Sequence, residues 1–232
     1  MKKYELTSEF VMNGSGTKLF RIKATVSFGV VQAGQLGGFI EKEGNLSHDG
    51  DAWVSGNAEV FGDARVFGDA WVSGNAEVSG NAEVFGDAEV FGDARVFGDA
   101  WVSGDAWVSG NAEVFGDAEV FGDARVSGNA EVSGNAEVFG NAEVSGNAEV
   151  SGNADYAVVK GFGRFSRATT FFRCKDKILR VQCGCFYGDL TQFREIVKKT
   201  HGDSKYAKEY LAIADLMELH FSDEEEKQAV SE

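Results

Sequence analysis

The chain has 232 residues, enough for one large domain or two small ones, and a formal net charge of −15. It has no apolar run long enough to span a bilayer, and in "MKKYELTSEF" charged residues stand where a signal peptide needs an apolar stretch, so neither a membrane protein nor a secreted one is expected. Proline is absent and the three cysteines make an odd number, which points to laddered strands and to reduced thiols in a cytoplasm.

Residues 1–37 read as an N-terminal cap built on a β-hairpin, "YELTSEFVM" and "TKLFRIKATV" flanking the turn "NGSGTK". That turn ends in lysine but lacks the glycine spacing of a phosphate-binding loop. From Gly50 to Ser151 one six-letter word, G-[ND]-A-x-V-[SF], runs seventeen times without a break. Ala and Val, two apart, point the same way on a strand, and the residue between them points out. Gly with Asn or Asp supplies the corner. Three such strands close a triangular coil of 18 residues, and the next coil stacks about 4.8 Å above it. Glycine stays in phase in "GFIEKE", "GNLSHD" and "GNADYA", which extends the expected β-helix to residues 38–157. The repeat holds all the acidity: residues 50–157 carry three arginines against twenty carboxylates, a balance of −17, whereas 1–49 and 158–232 each come to +1.

Folding the words onto 18-residue coils puts Trp53, Trp71 and Trp107 on one face, a candidate binding face. A corner column of Phe67, Phe85, Phe121 and Phe139 is a candidate surface for self-association, or else each ring folds over its own corner. Asn and Asp alternate at the corners in no evident order. Residues 158–221 read as a small α+β domain. "YAVVKGFG", "TTFFRCK" and "ILRVQCGCF" are its strands, and Asp189 and Ser204 cap two helices separated by Gly202. The second helix spaces Tyr206, Tyr210, Ile213, Met217 and Phe221 for burial. Residues 222–232 are an acidic tail expected to be disordered. Cys183 and Cys185 alternate with Leu179 and Val181 as on a core strand; a Cys₃His zinc site with Cys174 and His201, or a Cys–His nucleophile, is the sharper reading of the same residues. Arg164, Arg167, Arg173 and Arg180 lie near the strands, where they would hold carboxylates or phosphates or simply balance the acidic stem.

The repeat resembles the left-handed parallel β-helix of the hexapeptide-repeat proteins. "AGQLGGFIEKEGNLSHDGDAWV" (33–54) is similar to the opening of phage and prophage hexapeptide-repeat proteins labelled polymer-forming, and 169–210 looks like a small C-terminal domain common on phage proteins. The resemblance implies a mainly β protein of phage origin acting in a bacterial cytoplasm. Many hexapeptide-repeat proteins are acyltransferases with a histidine base, but His48, His201 and His220 all lie outside the clean repeat and no loop breaks the coils. The expectation is therefore a non-enzyme without cofactor or metal, whose C-terminal module engages a host protein or a nucleotide signal. Rival expectations are DNA mimicry by the stem, with no direct nucleic-acid binding, and a filament or virion component.

Overall fold

A computed structural model describes residues 2–222, so most of the acidic tail, 223–232, lies outside the described residues. The chain forms two compact units that divide after Asn153.

The first unit opens with the expected hairpin, β1 (Tyr4–Met12) against β2 (Lys18–Ala24). The Asn13 side chain closes its turn by accepting from the backbone N–H groups of Ser15 (3.1 Å) and Thr17 (2.8 Å). Next, β3 (Leu36–Ile40) runs antiparallel to β2 on one side and parallel to β5 (Glu59–Val60) on the other. This one strand converts a hairpin into a stack of coils.

The stack is a parallel β-solenoid of about six turns with 18 residues per coil. It contains seventeen two-residue strands, from β4 (Trp53–Val54) to β20 (Glu149–Val150), each six residues after the last. They fall into three parallel columns, one per side of the triangle. Every Ala and Val of the words is fully buried, so the interior is a column of methyl groups with no aromatic ring. The backbone is satisfied from coil to coil: Asn75 donates to Gly92 O, Glu77 to Ala94 O and Ser79 to Val96 O, all at 2.8–2.9 Å. At the corners the chain turns through positive φ, as at Gly74 (φ 72°), where a Cβ would stand 2.9 Å from the backbone of Gly92. Both the conformation and the close approach require glycine.

Three expectations about this unit need correction. The in-phase glycines before Gly50 do not mark equal coils. Ile40 stacks on Val60 and Leu46 on Val66, offsets of 20, whereas Val54 stacks on Val72, an offset of 18. The corner between Leu46 and Val54 is therefore two residues longer than the others. Asn45 anchors this first coil by donating to Gly62 O (3.1 Å) and Ala64 O (2.8 Å). At the other end, the hexad 152–157 adds no coil strand. Its Tyr156 belongs to β21 (Tyr156–Val159), which pairs antiparallel with β22 (Thr169–Arg173) in the second unit. Finally, Trp53 does not face solvent with Trp71 and Trp107. It is fully buried, with Phe28 5.5 Å and Tyr4 6.5 Å from its ring, because the N-terminal segment folds over the bottom of that face.

In the second unit β21, β22, β23 (Leu179–Cys183) and β24 (Phe186–Asp189) make an antiparallel meander, followed by α1 (Leu190–His201) and α2 (Lys205–His220). The caps are those read from the sequence. Asp189 and Gln192 form a reciprocal capping box, Ser204 accepts from Ala207 N, and Gly202 ends α1. The helices pack Phe193, Val197, Tyr210, Ile213 and Met217 onto Phe171 and Val181 of the sheet. Tyr206, expected in that core, is exposed.

Candidate anion-binding pocket

Within the second unit a cavity of about 250 Å³ opens between α1, α2, the β23–β24 turn and the loop after β21. Its floor is apolar: Phe186, Phe193, Ile196 and Val197. Phe186 and Phe193 lie 5.6 Å apart, and Tyr210 closes edge-on against Phe193 at 5.8 Å. Thr200 and His201, from the last turn of α1, line the side, with His201 5.8 Å from the Tyr210 ring. Burial pushes the Tyr210 phenol up to about 12, and the neighbouring Cys183, to which it hydrogen-bonds, adds to the shift, so this hydroxyl stays neutral. Cys183 Sγ also accepts from the Thr169 hydroxyl (3.2 Å).

Arg164, Phe165 and Arg167 form the rim. The loop that carries them is tied to α2 at Gly163, whose N–H donates to Glu209 Oε2 (2.9 Å) and so lowers the Glu209 pKa. Gly163 takes φ 71°, and a Cβ there would stand 2.0 Å from the Tyr210 hydroxyl. The loop then reverses at Ser166 (φ 51°), a conformation non-glycine residues rarely adopt. That reversal brings both guanidinium groups onto one ring: Arg164 lies 5.4 Å and Arg167 5.1 Å from the centroid of Phe165, itself 66% exposed.

The four arginines expected near the strands do not converge. Arg180 pairs with Asp176 (2.7 Å), and Arg173 donates to Phe221 O (2.9 Å). Arg194 is bound to Asp215 (2.8 Å) and Glu218 (2.7 Å). Arg164 and Arg167 alone line the pocket, and neither has an ion-pair partner among the described residues.

The cysteine expectation holds only in part. Cys174 is buried, and its thiol pKa is raised by that burial, but Cys183 is half-buried and Cys185 exposed. The single strand read through "LRVQCGCF" is two strands joined by a tight turn at Gly184 (φ 59°), which swings Cys185 out to the pocket mouth. Among the described residues no group of three or more His, Cys, Asp or Glu is placed to hold a metal ion.

On the stem, Trp71, Glu89, Trp107 and Arg125 follow one another up a single column. Arg125 stacks over Trp107 at 4.5 Å, and Trp107 is 37% exposed. The adjoining corner is more ordered than the sequence reading allowed. Positions 51, 69, 87, 105 and 123 are all aspartate, and Asp69, Asp87, Asp105 and Asp123 line a groove of about 700 Å³ beside the tryptophans. The other corners mix Asn with Asp, and their amides hydrogen-bond from coil to coil, as Asn75 does to Asp93 (2.9 Å) and Asn111 to Asn129 (3.0 Å). The signal is in the sequence: the corner letters recur as aspartate at every eighteenth residue from 51 to 123. The phenylalanine column stacks on itself, Phe67 on Phe85 at 4.9 Å and Phe121 on Phe139 at 5.3 Å, leaving Phe139 49% exposed.

No helix among the described residues is long and apolar enough to cross a membrane. Compared with protein-family models and with curated proteins, the chain matches none.

Proposed function

We propose that this is a non-enzymatic binding protein, phage-encoded as its sequence resemblance implies, in which an acidic β-solenoid carries a C-terminal unit that engages a host target in the bacterial cytoplasm. Occupying an immune protein or sequestering its nucleotide signal are the two forms such an activity takes. The observation that carries the reading is the rim of the C-terminal pocket: Arg164 and Arg167 have no ion-pair partner among the described residues, in a unit whose other arginines contact its own acceptors. An arginine facing water without a partner is available for a carboxylate or phosphate brought by another molecule. The test is capture from bacterial host lysate by the full chain and by the Arg164→Gln/Arg167→Gln variant. The reading requires specific capture that the variant loses; equal capture by both would refute it.

One observation favours a second reading, DNA mimicry by the stem. The five-aspartate column adds order to a charge of −17 spread over about 29 Å, close to the density of duplex DNA. Under mimicry, capture falls steeply with salt and is lost when the ten repeat glutamates become glutamine. Capture that survives those changes eliminates it.

A further inference from the structure

We infer that the C-terminal pocket takes the free C-terminus of a partner protein, its carboxylate between Arg164 and Arg167 and its last side chain, large and apolar, in the cavity below. This rests on the reading of the C-terminal unit as the recognition part, and it names what that part recognises. Three observations point the same way.

The first is size. At about 250 Å³ the cavity lies below the usual range of roughly 300–1,000 Å³ for small-molecule sites, which leaves room for one bulky side chain but not for a base, sugar and phosphate together. The second is the chemistry of the interior. On the floor Phe186, Phe193, Ile196 and Val197 offer no hydrogen bonds and the Tyr210 hydroxyl is engaged with Cys183, so the polar side chains of Thr200 and His201 are confined to one wall. A nucleobase buried there would leave most of its polar edge unpaired, whereas an aliphatic or phenyl side chain has nothing to leave unpaired. The third is the arrangement of charge. The two guanidinium groups sit at the mouth, held on the shared Phe165 ring, directly above an apolar floor. A carboxylate and an apolar group joined at a single Cα are what a chain terminus has; an internal Asp or Glu carries its carboxylate with no apolar side chain attached.

The experiment uses the full chain and dye-labelled hexapeptides, Gly-Ser-Gly-Ser-Gly-Leu and its Phe-ended counterpart, each as free acid and as C-terminal amide, read by fluorescence anisotropy. The free acids should bind about tenfold or more tightly than the amides, the loss expected when a charge-assisted pair is removed. A Gly-ended free acid should bind as weakly as the amides. Arg164→Gln/Arg167→Gln should erase the difference between acid and amide; both residues are exposed, and the comparison on the unaltered chain needs no variant at all. Equal binding of acid and amide overturns the inference, as does tighter binding of adenosine monophosphate than of every free acid. If no peptide binds while lysate capture still depends on the two arginines, this inference fails and the broader function stands. If acids are preferred over amides but capture ignores the arginines, the pocket is assigned correctly and the broader reading falls.

Discussion

The two units solve the same problem, burying enough apolar surface, in opposite ways. The stem puts only alanine and valine inside and sends every phenylalanine and tryptophan above its first coil to the surface. The C-terminal unit builds its core on aromatic rings, Phe171, Phe193, Tyr210 and Phe221 among them, while Phe162, Phe165, Tyr187 and Tyr206 stay exposed. A core of one repeated pair of small side chains fills its space identically at each level, so the concavity of the stem lies on its outer face, between columns. A core of unlike rings packed from two helices and a sheet does not tile, and a pocket remains where they meet. Regularity gives the stem its length, while irregularity gives the C-terminal unit its pocket.

The sharpest way to break this comparison is a change of phase. Deleting Gly74–Ala76 moves every later glycine off its corner, and the stem should lose its folding transition altogether, a loss of about 5–15 kcal/mol. Deleting Gly74–Phe91 removes one whole coil and should shift the midpoint by only a few degrees. Calorimetry on both variants decides; unfolding of the 18-residue deletion would refute nearest-neighbour additivity. In the irregular unit a single side chain should matter more. Phe193→Ala removes a ring packed on Phe171, Phe186 and Tyr210 and should cost about 3–5 kcal/mol. Hydrogen exchange should locate that loss at amides of residues 169–221 and leave the coil amides protected.

A smaller effect concerns Lys3, buried and donating to Gly50 O (3.1 Å) and Ala52 O (2.8 Å). Burial lowers its pKa from 10.5 to about 8, against the pull of Asp51, Asp69 and Asp49. Between those two values the unfolded chain binds the proton and the folded one does not, so stability rises as pH rises through that window. Denaturant titrations at pH 7.5 and 9.5 should show the first unit gaining roughly 1–2 kcal/mol, and Lys3→Met should flatten the dependence. The smallest effect compares two corners. Asp87→Asn relieves stacked carboxylates about 4.8 Å apart and should stabilise by a few tenths of a kcal/mol. Asn75→Asp, which removes the amide donor to Asp93, should destabilise by a similar amount. Both effects should shrink at 1 M salt, and insensitivity to salt would mean the corner charges do not interact.

Most of the stem was legible because its pattern is periodic: alternation fixes which residues face inward, and glycine at each sixth position fixes the corners. What was not legible lies where periodicity stops. The two extra residues between Leu46 and Val54 leave glycine in phase, so letters alone conceal the longer corner. Trp53 obeys the outward rule and is buried all the same, because segments distant in sequence cover it. In the second unit the caps were legible, being local hydrogen bonds between residues three apart. The pocket was not, since it draws on a loop, a turn and two helices spread over residues 164–210. Four arginines looked equivalent in the sequence; their partners, such as Asp176 for Arg180 and Phe221 O for Arg173, separate them in space.

The coil-to-coil hydrogen bonds have a further consequence for how the chain reaches its fold. Above the longer first coil, where Phe39 to Ala58 spans 19, the strand bonds join residues 17 apart, as Glu77 to Ala94 and Arg95 to Ala112, and this separation holds from Trp53 to the top of the stem. Loop-closure entropy depends on the length of chain to be closed, so adding a coil costs no more at the sixth turn than at the second. Unlike a sandwich or barrel, whose pairings span ever longer stretches as it grows, the stem can lengthen without slowing its own assembly. A chain leaving the ribosome N-terminus first needs only one more coil's worth of residues to complete each level, with the N-terminal hairpin already in place as the template.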